Sequence, residues 1–78
     1  MIAVFQTNIA SANIAEKVIR GLKCQYEGYK ITIDLQDHDH ILRMEGADFI
    51  IRDIIIFIQN MGSRCTHLPI EWDGYIEY

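Results

Sequence analysis

Between Lys30 and Glu45 the chain changes side at every step. In KITIDLQ, Ile31, Ile33 and Leu35 take one face while Thr32, Asp34 and Gln36 take the other, the alternation of a half-buried strand. Asp37-His38-Asp39-His40 is a polar tip, and ILRME resumes with Leu42 and Met44 on one face. Two strands with so short a polar link read as a hairpin. Its apolar face needs a cover, and a chain of 78 residues has room for one domain and one core.

The flanks supply that cover. Residues 2–8, IAVFQTN, carry apolar β-formers near alternate positions and read as a first strand. Ser11 or Asn13 can cap a following helix, and Asn13 with Glu16 resembles a capping box. Ile14, Val18 and Leu22 then recur every four residues, with Lys17, Arg20 and Lys23 off the stripe and Gly28 closing the region. Beyond the hairpin, Gly46 breaks the strand and Asp48 can cap a second helix from about Ala47 to Met61. Its expected core stripe is Ile50, Ile54, Phe57, Ile58 and Met61, widened by Ile51, Ile55 and Ile56. The β-branched run by itself favours strand, but the length, the Asp cap and Gly62 favour helix. Residues 63–68, SRCTHL, form a short last strand that Pro69 stops.

The order is strand, helix, strand, strand, helix, strand. With right-handed crossovers both helices fall on one face of the sheet. The expectation is α+β: a ferredoxin-like βαββαβ sandwich, four antiparallel strands under two helices, over residues 1–69. Residues 70–78, IEWDGYIEY, with a possible turn at Asp73-Gly74, are a tail expected to pack on the domain or on a second subunit.

Several of these residues suggest a family. Phe5 lies in the first strand, Ile9 follows that strand, and Ser11 and Ile14 stand three apart where the first helix begins. Val18 is an apolar helix position, IDLQDHDHILRMEG is the central hairpin, and the second helix closes at Met61-Gly62. From Val4 to Leu68 this pattern resembles the heavy-metal-associated domain of copper chaperones and metal-pumping ATPases. The resemblance implies the same sandwich. It places Ser11 and Ile14 at the positions of the family's Cys-x-x-Cys pair. Copper(I) needs soft thiolates, so the family's metal transfer does not carry over to these two positions.

The remaining metal candidates lie elsewhere. His38 and His40 are two apart, which on extended backbone puts both on one face, and imidazole with nearby carboxylates suits zinc, nickel or copper(II). Asp37, His38, Asp39 and His40, with Cys65 as a soft ligand, form the candidate set for a divalent metal. The same residue types also populate ordinary solvated turns. Topology predicts that this tip, the Thr7–Asn13 loop and residues 62–65 share one end of the domain. Cys24 falls at the other end, so no Cys24–Cys65 disulfide is expected. No set of nucleophile, base and acid and no Gly-rich phosphate loop is present, so a non-enzymatic role is expected.

Composition narrows the partners. The net charge is −4 and the seven Lys and Arg residues are scattered, which argues against nucleic acid and anionic membrane surfaces. MIAVFQTNIA lacks the charged lead of a signal peptide. The most apolar window, Phe49 to Ile58, is broken by Arg52 and Asp53 and is far short of the ~20 residues of a membrane span. The expectation is a cytoplasmic protein with no membrane insertion. Half of the residues are apolar, and a sandwich of this order leaves one sheet face without helices, where Ile2, Val4 and Ile41 would point. A homodimer through that open face, through helix two or through the C-terminal tail is expected. A small-ligand sensor using the first loop and the open face is a further class on the same scaffold.

Overall fold

The computed structural model describes residues 1–68. The expectations for Pro69, the Asp73-Gly74 turn and the packing of the tail lie outside the described residues. The elements run β1 (Ile2–Thr7), α1 (Ala12–Gln25), β2 (Lys30–Ile33), β3 (Ile41–Glu45), α2 (Ile51–Asn60) and β4 (Cys65–Leu68). The strands form one antiparallel sheet in the order β2-β3-β1-β4. This is the expected α+β ferredoxin-like sandwich.

Register divides the sheet into two faces. Phe5 lies between Leu42 of β3 and His67 of β4, and Ala3 lies opposite Met44. The apolar members of this set meet Val18 and Leu22 of α1 and Ile54 and Ile58 of α2 in one core. The intervening positions, Ile2, Val4 and Gln6 with Ile41, Arg43, Thr66 and Leu68, turn to the other face. Among the described residues no helix covers that face.

Helix α1 begins at a Ser11 cap, whose hydroxyl accepts from the Asn13 N–H. The Asn13–Glu16 box does not form; Glu16 instead pairs with Arg20 on the exposed side. The buried stripe is Ala15, Val18 and Leu22. Ile14, expected in it, is 43% exposed, one helical step outside the arc that meets the sheet.

Helix α2 starts four residues later than its sequence suggests. Phe49 is buried beside Tyr26 and Tyr29, and the Tyr29 hydroxyl donates to the Asp48 carbonyl at 2.9 Å. Both contacts hold residues 47–50 out of the helix, so Asp48 does not cap it; the cap position is Ile50, with no side-chain bond. Ile50 and Met61, expected in the core stripe, are exposed, while Ile54 and Ile58 are fully buried. Gly62, at φ 92°, ends the helix as its position suggested, with Ser63 N–H reaching back to the Ile58 carbonyl.

Strand β2 stops at Ile33 rather than Gln36. The Asp34 carboxylate accepts from the Gln36 and Asp37 N–H groups and turns the chain away. β4 likewise begins at Cys65 rather than Ser63.

Candidate functional site

Hydrogen bonds gather three loops at one end of the sheet, as the topology predicts. Thr7 closes β1 there. Its N–H donates to the Asp39 carbonyl at 3.2 Å, its hydroxyl donates to the His40 carbonyl at 2.7 Å, and the same hydroxyl accepts from Ile9 N–H. Gln6 Nε2 donates to the Asp39 carboxylate. Asn8 Oδ1 accepts from Arg64 N–H at 2.8 Å, which ties the first loop to the start of β4.

The candidate metal residues lie at this end with different surroundings. The extended backbone that would put both histidines on one face is absent, because residues 35–39 form turns and bends. His38 projects into solvent, its side chain 99% exposed, with Nδ1 3.6 Å from Asp39. His40 sits in the left-handed region at φ 47°. Its Nδ1 is enclosed with no hydrogen-bond partner among the described residues. The Asp37 carboxylate accepts from Asp39 N–H, so this acidic group braces the turn. Among the described residues, no three His, Cys, Asp or Glu side chains come together as a metal-holding group.

Cys65 is buried on the helix side of the sheet, opposite Thr7. Burial pushes its thiol up to about 11, the reverse of what a reactive thiolate needs. Cys24 is exposed, and both cysteines are free. Of the pair that the resemblance aligns with thiolates, Ser11 is spent on its helix cap and Ile14 offers no donor.

The helix-free face is different in character. Ile2, Val4, Ile41 and Leu68 form its apolar middle, with Lys30, Thr32, Arg43, Glu45, Gln6 and Thr66 around them. Val4 is 2% exposed although it stands outside the helix-side core. At the Ile2 end, where this face meets the rim of the helix layer, a hollow of about 600 Å³ is lined by Met1, Ile2, Ile51 and His67. No motif singles out His67 in the sequence. Only the alternation in SRCTHL places it, on the face of Cys65, and its ring lies 5.5 Å from that of Phe5.

A groove of about 460 Å³ beside α1 is lined by Ala12, Ala15, Ile19 and Leu35 among others. No helix among the described residues is long and apolar enough to cross a membrane. In comparisons with family models, curated proteins and solved structures, nothing matches this chain.

Proposed function

We propose that this chain is a non-enzymatic binding domain of the heavy-metal-associated-like type, without the thiolate pair, and that it works through the helix-free face of its sheet. The observation that carries the reading is the make-up of that face, where half-buried Ile2, Ile41 and Leu68 surround the buried Val4 inside a polar rim. Apolar centre and polar rim is the anatomy of a contact surface. The partner class that fits is a protein segment presenting apolar side chains to a flat sheet, a second copy of the chain included.

Peptide display against the full chain tests this. Selected peptides are expected to lose about tenfold or more in affinity for an Ile41→Lys variant and to keep their affinity for Ile56→Lys on the outer side of α2. Peptides that ignore Ile41→Lys and respond to Ile56→Lys would move the contact surface to the helices and overturn the reading.

A further inference from the structure

Strand β2 ends the sheet on the side away from β4, and its backbone groups divide by alternation. The Asp34 N–H donates to the Ile41 carbonyl at 2.9 Å, continuing the register that sets Thr32 opposite Arg43 and Lys30 opposite Glu45. In an antiparallel ladder every second residue turns its N–H and C=O to the neighbour, so Lys30, Thr32 and Asp34 face β3. Ile31 and Ile33 turn theirs outward, where neither makes a hydrogen bond among the described residues. Ile31 is only 5% exposed, and backbone groups so enclosed are nearly always paired.

The residues along this edge are self-complementary. Lys30-Ile31-Thr32-Ile33-Asp34, laid antiparallel on a second copy about Thr32, sets Ile31 against Ile33, Thr32 against Thr32 and Lys30 against Asp34. The outward groups of Ile31 and Ile33 then bond to one another on both sides of the axis. The neighbouring charges leave the Lys30–Asp34 pair available. Glu45, opposite Lys30 in register, lies 3.9 Å from Arg43, and Lys30 makes no ion pair among the described residues. Asp34 uses Oδ1 on the Gln36 and Asp37 N–H groups and keeps Oδ2. The Asp37 carboxylate is engaged by Asp39 N–H. A lone lysine on an edge strand opposes pairing; a two-fold axis at Thr32 brings it a carboxylate.

The groove beside α1 borders the same edge. One side of α1 meets α2, where Gly21 faces the Phe57 ring. The other flank lines the groove together with Leu35, two positions past Ile33. Its charges are Glu16 and Arg20, paired at 2.8 Å, and Lys23 at one end. We propose that the protein is a two-fold dimer joined at β2, with its two sheets continuous through the Ile31 and Ile33 backbone and its α1 grooves closed against each other. This goes beyond the helix-free face and leaves it open: the joined sheet presents two such faces side by side.

Sedimentation equilibrium of the full chain is expected to give a dimer mass that falls to monomer on dilution. Lys30→Asp, which sets acid against Asp34, is expected to weaken the dimer about tenfold, and Asp34→Lys likewise. An equimolar mixture of the two variants is expected to recover the wild-type affinity, because each supplies the charge the other lacks. Hydrogen exchange on the wild type needs no variant: the Ile31 and Ile33 amides are expected to slow as concentration rises. Lys30→Asp and the exchange measurement test the contact even where loss of the Asp34 turn unfolds Asp34→Lys. Three results overturn the proposal: a monomer mass at every concentration; Ile31 and Ile33 exchange that ignores concentration; or a dimer that survives Lys30→Asp and dissociates with Ile41→Lys, which moves the contact to the helix-free face.

Discussion

Gly46 is held glycine by a neighbour rather than by its backbone. A Cβ there would clash with the Tyr29 ring. That ring cannot move aside, because it packs edge-on against Tyr26 and Phe49 and its hydroxyl is bonded to Asp48. Gly46→Ala is expected to cost about 1–3 kcal/mol by overpacking, read from urea midpoints. Gly21 is a useful contrast. Its Cβ would meet Cζ of Phe57 at 2.7 Å, but that is the outer end of a half-buried ring. Alanine also recovers up to about 1 kcal/mol of helix propensity there, so Gly21→Ala is expected to cost less. Cys65 gives a pH signature. Its thiol titrates about 11 in the folded chain, against 9.0 unperturbed. The folded state keeps the proton that the unfolded state releases, so the contribution is complete below pH 9 and is lost as pH rises toward 11. Denaturant melts of wild type are expected to lose more stability than those of Cys65→Ala across that window.

Among the elements, the two helices begin by different means. α1 has a hydroxyl cap and α2 has none. Ser11→Ala is therefore expected to cost about 1 kcal/mol, while Asp48→Ala, whose carbonyl and not its carboxylate is used, is expected to stay within about 0.5 kcal/mol. Thermal or urea melts of the pair check both. This contrast also marks what could be read in the residues. Alternation in KITIDLQ and ILRME located the hairpin, and the stripe through Val18 and Leu22 located α1, because side-chain period is a local property. The start of α2 was not legible. Asp48 has the chemistry of a cap, and only a tertiary contact from Tyr29, nineteen positions away, removes it from the helix. Ile14 and Ile50 were misplaced for a related reason: where apolar residues spread beyond one arc, their spacing does not define which of them faces the sheet.

At the scale of the molecule, a similar division separates loop placement from site chemistry. The meeting of the hairpin tip, the first loop and the start of β4 follows from strand order, and the bonds from Thr7, Gln6 and Asn8 carry it. The geometry of Asp37, His38, Asp39 and His40 does not follow from spacing, because Asp34 and Asp37 turn the backbone and break the alternation on which a shared face depends. β1, paired on both sides, is expected to hold the slowest-exchanging amides, and β2 and β4, the edges of the sheet among the described residues, faster ones, by native-state hydrogen exchange.

The strand order has a consequence for how the protein is made. β1 is an inner strand and leaves the ribosome before the other elements, yet one of its partners, β4, is the last of them, with Thr7 opposite Cys65. Until that late segment emerges, β1 has an open side that exposes ladder groups. Closure of the sheet waits on contacts of long sequence separation, the kind that slow folding, so the nascent chain carries an unfinished edge while every element between them is synthesised.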